Sequence, residues 1–128
     1  MTDKIVDASA IAALIFGETQ AAQIEERLQG CGLISPALLP FEISNVCIKK
    51  LRKNPDQRAA ILLRFGKFKD FPIDLFDVPP AGMLELAERF NLSAYDAGYL
   101  WLSRALGAEL VTMDARLERA AAAIQSSS

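Results

Sequence analysis

Short apolar runs alternate with longer stretches of helical periodicity along the chain, and that alternation predicts the elements in order. KIVD (4–7) reads as a compact buried strand, and GLISP (32–36) as a second one bounded by Gly32 and Pro36. IDLFDV (73–78) is a third, ended by Pro79 and Pro80, and AELVTM (108–113) a fourth. ASAIAALIFG, which follows the first strand, is helical. TQAAQIEERLQ (19–29) makes a second helix with Thr19 as its N-cap. Residues 37–53 form a helix that holds Pro40 in its first turn, where a missing N–H does no harm. Further helices are expected over 55–69, 81–90 and 93–106, with a last one starting near Asp114 and fraying over 126–128. Strands separated by helices make a parallel sheet covered on both faces. The expected fold class is therefore α/β, a three-layer α/β/α arrangement with a short, mostly parallel sheet in one domain over 1–125.

Composition narrows the chemistry. The chain has 128 residues, 52% of them hydrophobic, enough for one compact domain with its own core. No apolar run reaches a membrane span, and Met1-Thr2-Asp3-Lys4 leads into the first strand without a signal-peptide pattern, so a cytoplasmic protein with no membrane partner is expected. Cys31 and Cys47 have neither CxxC nor metal-ligand spacing and read as incidental or buried thiols. Histidine is absent. That removes the commonest general base, the Ser/His/Asp and Cys/His arrangements and His-ligated zinc. Hydrolytic chemistry here must rely on carboxylates, lysine, hydroxyls or a metal held by oxygen.

The net charge of −2 conceals a strong asymmetry. Residues 49–69 carry eight of the 14 basic side chains and a single acid, Asp56. The remainder is anionic. The cationic stretch reads either as a solvated helix face or as a phosphate-contacting surface beside an acidic site, with Lys49, Lys50, Arg52 and Lys53 as the candidate phosphate contacts.

Topology gathers four acids without any alignment. In a parallel αβ unit, the helix following a strand begins near the strand's C-terminal edge. Asp7 ends the first strand, Asp114 directly follows the last, Glu42 lies in the opening turns of the helix after the second, and Asp96 opens the helix leading to the fourth. All four should meet at the edge where open α/β folds build their sites. Each has a structural reading too: Ser93 and Asp96 resemble a capping box, Asp114 an N-cap, and Asp7 an Asx turn or cap. Glu42 resists one. Its helical neighbours Leu38, Leu39 and Val46 are apolar, and no lysine or arginine stands at helical spacing to pair with it.

Four carboxylates a few ångströms apart repel by about 1 kcal/mol per pair in water and about 4 at an effective dielectric near 20. A divalent cation relieves that repulsion. All-oxygen ligation points to Mg²⁺ or Mn²⁺ rather than zinc, and such an ion supports phosphodiester hydrolysis. Ser9, Asn45 and Thr112 are oxygen donors placed to support the acids from behind, or else ordinary turn and surface polarity.

These residues give the chain its family resemblance. IVDASAIAAL with Asp7 and Ser9, FEISNV with Glu42 and Asn45, LSAYDAGYLWLS with Asp96, and LVTMDARL with Thr112 and Asp114 occur in that order over almost the whole length. Together they resemble a PIN domain, specifically the VapC-like toxin ribonucleases of toxin–antitoxin pairs. The resemblance implies a Mg²⁺- or Mn²⁺-dependent endoribonuclease held inactive by a cognate antitoxin. Asp7 and Asp96 would be the leading metal ligands, with Glu42 and Asp114 completing a catalytic acidic cluster. One departure stands out: members commonly add a short edge strand after the last helix, and RLERAAAAIQSSS offers none, leaving a four-stranded sheet or an edge supplied by a partner.

The apolar surplus of IAALIF and AAILLRFGKF suits a homodimer interface or an antitoxin groove as well as ordinary core. Two other readings share this site or this fold: a PIN nuclease of RNA processing without an antitoxin, and a PIN-like module that only binds. A response-regulator receiver does not fit, because Asp7 is followed by Ala8, Pro79 follows FDV, and no fifth strand with a lysine is present.

Overall fold

The computed structural model describes residues 2–126. Four strands form one sheet: β1 (Asp3–Val6), β2 (Gly32–Pro36), β3 (Ile73–Phe76) and β4 (Glu109–Val111). Their order is β3-β2-β1-β4 and every pairing is parallel. Helices α1 (Ala8–Phe16) and α2 (Ala21–Leu28) link β1 to β2, α3 (Leu39–Lys53) and α4 (Arg58–Phe65) link β2 to β3, and α5 (Pro80–Phe90) and α6 (Ala94–Leu106) link β3 to β4. Helix α7 (Ala115–Ser126) follows. The α/β three-layer expectation holds, with the sheet wholly parallel and no fifth strand among the described residues. Of the tail expected over 126–128, Ser126 ends α7 and residues 127–128 lie outside the described residues.

The two-residue period of the strands divides the core. Ile5, Ile34 and Leu110 pack with Leu86, Leu100, Leu117 and Ile124 of α5, α6 and α7. The next residues on the central and neighbouring strands, Val6 and Val111, face the other way, against Ile11, Ile24, Leu39 and Ile43 of α1, α2 and α3. Because β1, β2 and β4 are short and carry buried side chains on both faces, a one-residue slip would exchange the two cores, which fixes the register Ile5↔Ile34 and Ile5↔Leu110. The chain steps outward from β1 through β2 to β3, then returns to the opposite flank of β1 as β4. Strand order thus reverses between β1 and β4, which opens a crevice at their C-terminal ends.

Several local expectations are corrected. Thr19 does not cap α2: Glu18 N–H bonds back to Ala13 O as α1 ends at left-handed Gly17, and Ala21 N–H bonds to Glu18 O, so Thr19 is consumed in the intervening turn. The helix expected over 55–69 is three pieces, a 3₁₀ turn Pro55–Gln57, α4, and a second 3₁₀ turn Gly66–Asp70. Pro55 cannot continue α3, and Gly66 is a poor helix residue at the far end. The apolar surplus of α1 is core, since Ile11, Ala12, Ala13 and Ile15 are buried, whereas α4 leaves Leu62 and Leu63 exposed. No helix among the described residues is long and apolar enough to cross a membrane.

Candidate active site

The crevice between β1 and β4 is built from residues that end strands and start helices. Asp7 follows β1 and caps α1, its Oδ1 accepting the Ala10 N–H at 3.0 Å and the Ser9 hydroxyl at 2.7 Å. The Thr112 hydroxyl, just past β4, donates to Oδ2. Asp7 is 5% exposed, so three donors satisfy a carboxylate that is almost entirely out of water. Burial nevertheless dominates and raises its pKa above the ordinary value; the hydrogen bonds from Thr112, Ala10 and Ser9 oppose the shift, and the charge of Asp96 adds to it.

Thr112 and Ser9 extend this network to Asp114. The Asp114 N–H donates to Thr112 Oγ1 at 3.0 Å and the Met113 N–H to Ser9 Oγ at 2.8 Å. Asp114 Oδ1 in turn accepts the N–H groups of Arg116 and Leu117, which makes it the cap of α7. Both expected supporting hydroxyls, Ser9 and Thr112, thus sit where they hold Asp7 and the start of α7 together.

The other half of the site comes from α3 and α6. Ser93 caps α6 by accepting the Asp96 N–H at 3.1 Å, as the sequence indicates. Burial raises the Asp96 pKa, the Asp114 charge raises it further, and Ser93 and Arg116 oppose the rise. Arg116 is steered here by a 2.7 Å hydrogen bond from its guanidinium to the carbonyl of Asn91, which stands in the left-handed conformation at the end of α5. Glu42 also titrates above its ordinary range, chiefly from burial, with Tyr99 opposing and the charges of Asp96 and Asp7 adding. Its partner is Tyr99, whose hydroxyl donates to Oε1 at 2.7 Å.

The structure thereby places all four acids at one sheet edge, inside one another's electrostatic reach in the pairs Asp7–Asp96, Glu42–Asp96, Glu42–Asp7 and Asp96–Asp114. As the side chains stand, no three of these groups lie close enough together to hold an ion, among the described residues. The donor chemistry is that of a hard cation: carboxylate and hydroxyl oxygens, with no imidazole and both thiols elsewhere.

One expected contributor, Asn45, is not brought to the acids. Asn45 is exposed and makes no hydrogen bond to any of them; α3 buries the Leu39, Ile43 and Cys47 stripe and turns Asn45 outward. Lys50 lies 3.6 Å from a Glu18 carboxylate oxygen and 5.0 Å from the centre of the Phe16 ring, which ties it to the end of α1, while Lys49, Arg52 and Lys53 remain exposed. Tyr99 and Arg116 escaped the sequence reading. The signal for Tyr99 was Glu42's need of a partner, combined with a hydroxyl one helical turn beyond Asp96.

Known proteins are similar to this chain in sequence and fold. A family model described as PIN domain matches residues 4–123. The chain is 30% identical over 118 residues to Ribonuclease VapC3 of Pyrobaculum aerophilum, a match covering 88% of this chain and 90% of that protein. It is also similar to the crystal structure of PAE2754 from Pyrobaculum aerophilum, with a TM-score of 0.73, 28% sequence identity, and coverage of 93% of this chain and 86% of that one.

Proposed function

We propose that this chain, which belongs to the PIN domain family, is a Mg²⁺- or Mn²⁺-dependent endoribonuclease, the toxin of a toxin–antitoxin pair. The observation that supports this reading is that Asp7, Glu42, Asp96 and Asp114 lie along one sheet edge, with burial raising the pKa of the first three above the ordinary value. Three carboxylates that resist ionisation in a chain without histidine are poised for a cation that would offset their charge. The name of the relative Ribonuclease VapC3 supports RNA as the substrate.

In this reading Asp7 and Asp96 are the leading ligands and Glu42 and Asp114 complete the set. A bound cation supplies Lewis-acid chemistry at the scissile phosphate. Asp7 is fixed in advance by Ser9, Ala10 and Thr112, so it does not have to be ordered when the ion arrives. Lys49, Arg52 and Lys53 belong to the RNA-contacting surface, with Lys50 bracing α3 from behind. Exposed Leu62 and Leu63 on α4, and Leu75 and Phe76 on the outer strand β3, support protein partners: a second copy of the chain and the antitoxin. A cytoplasmic location would suit an RNA substrate.

The test is a thermal melt of wild type and Asp96→Asn, each with chelator and across a Mn²⁺ titration. Asparagine removes the negative charge and leaves the Ser93 cap intact, because that cap uses the backbone N–H of residue 96. The variant should start higher, because repulsion is relieved, and gain less from Mn²⁺. If neither protein responds to metal, the nuclease reading loses its basis and a PIN-like binding module takes its place.

A further inference from the structure

Helix α6 delivers two functional groups rather than one. Tyr99 stands three residues after Asp96, so both project from neighbouring positions on one face of the helix. The Tyr99 ring is part of the core with Leu100, Leu102 and Ile34, and the residue is only 1% exposed. A phenylalanine would fill that space. The hydroxyl is what needs explaining, since a buried phenol must find a partner, and it finds the carboxylate of Glu42 at 2.7 Å.

Glu42 has no substitute for that contact. No other side chain among the described residues hydrogen-bonds to it, and Asn45 faces away. Glutamate has three rotatable side-chain bonds, so without Tyr99 its carboxylate would sample several positions at the mouth of the crevice. The Tyr99 oxygen is itself held in place. Ser35, fully buried on β2, borders it, and the Ser35 hydroxyl bonds to the Val6 carbonyl at 2.9 Å. Val6 is the residue immediately before Asp7. Glu42 is thus referenced to the end of β1 through Tyr99 and Ser35, and to Asp96 through the backbone of α6.

We propose that Tyr99 is a positioning residue: by occupying Oε1 of Glu42 it presents Oε2 as the single oxygen available to a cation, in fixed relation to Asp96 and Asp7. This inference rests on the metal-dependent reading above. Hydrogen-bonded supports of metal ligands commonly contribute 10- to 100-fold in metal affinity, and Tyr99 is expected to fall in that range.

The experiment compares wild type, Tyr99→Phe, Glu42→Gln and the double variant by calorimetric Mn²⁺ titration, with circular dichroism melts in chelator to verify that each is folded. Tyr99→Phe should raise the Mn²⁺ dissociation constant about 10- to 100-fold, and Glu42→Gln should do at least as much. Adding Tyr99→Phe to Glu42→Gln should then change it by less than about twofold, because the effect passes through Glu42. Unaltered Mn²⁺ affinity in a folded Tyr99→Phe protein overturns the assignment while leaving the metal site standing. A loss that persists undiminished in the Glu42→Gln background also overturns it, since Tyr99 would then act through the core. If wild type itself binds no Mn²⁺, the metal-dependent reading and this inference fall together.

Discussion

The hydroxyl of Thr112 donates to Oδ2 of Asp7, so the residue just past β4 is locked to the residue just past β1. Two parallel neighbours are thereby clamped at the edge where the strand order reverses. The clamp costs little, because Thr112 is buried and its oxygen also accepts the Asp114 N–H.

Thr112→Val keeps the shape and removes the donor. Asp7 then retains only Ser9 and Ala10 while staying buried, and an under-satisfied buried carboxylate costs about 1–3 kcal/mol. The expected result is a melting temperature several degrees lower at neutral pH, with an Asp7 pKa raised further because one of the hydrogen bonds opposing burial is gone. Ser9→Ala should act in the same direction but less, since Ser9 is only half-buried. Denaturant melts together with carboxyl ¹³C titration check both; a Thr112→Val protein as stable as wild type would show that the clamp carries no energy.

Much of this site was legible in the sequence, for a topological reason. Alternating strands and helices force residues such as Asp7, Glu42 and Asp114 to one edge, whatever the details of packing. Ser9 and Thr112 were legible because they lie within two residues of an acid whose place was already fixed. Asn45 was misplaced because a spacing of three residues leaves a rotation of about 60° on a helix, enough to turn it from the shoulder of α3 into solvent. Tyr99 was hidden for the opposite reason. Its ring obeys the apolar period of α6, and nothing in a hydrophobic pattern distinguishes a core tyrosine whose hydroxyl reaches a site from one whose hydroxyl does not. The breaks at Gly66 and around Thr19 depend on which backbone N–H groups find partners, and periodicity does not report that.

Stability should vary with pH in an unusual sense when metal is withheld. Asp7, Glu42 and Asp96 have ordinary values of 3.8, 4.5 and 3.8, and burial raises all three on folding. The folded chain therefore binds more protons than the unfolded one in this range, and stability falls as pH rises. The penalty is absent below the ordinary values, develops as pH climbs through the raised ones and is complete above them. Glu109 works the other way: the Arg27 hydrogen bond leads the causes that lower its pKa, so its contribution is present above its ordinary 4.5 and lost as pH falls through the folded value. Being half exposed and screened, it is the smaller effect. Melts in chelator should show stability declining from mildly acidic to neutral pH, and Asp96→Asn should flatten the decline. Arg116→Gln should steepen it, because Arg116 holds the Asp96 pKa down. A wild-type curve that rises toward neutrality would remove the repulsive acid cluster.

The approach of α5 to α6 depends on Gly82. A methyl group built there would stand 2.5 Å from Nε1 and 2.6 Å from Cδ1 of Trp101, both on a rigid indole ring. Gly82→Ala gains about 1 kcal/mol of helix propensity and meets an overpacking cost of about 1–3, so the net change runs from about zero to a loss of about 2 kcal/mol. Because α6 carries Asp96 and Tyr99, displacing it should also weaken Mn²⁺ binding. Trp101→Phe in the same protein should recover part of both losses by making room. A stabilised Gly82→Ala variant with unchanged metal response would mean that the indole moves aside freely.

The cationic stretch of α3 separates into two kinds of lysine, and salt dependence tells them apart. Lys49 and Lys53 are exposed, whereas Lys50 is engaged with Glu18 and Phe16. Each phosphate contact on single-stranded RNA contributes about 0.7 to the slope of log affinity against log salt. Reversing Lys49 and Lys53 to glutamate in an Asp96→Asn background should weaken RNA binding at low salt and flatten that slope by about 1.4 or more, while leaving the melting temperature almost unchanged. Lys50→Glu should instead place two like charges beside each other at the end of α1 and lower stability, with less effect on the slope. Fluorescence anisotropy across a salt series, on each folded variant, decides between them. Equal slopes for wild type and the Lys49/Lys53 variant would show that RNA does not cross this face, and the stretch would be left as a solvated helix surface.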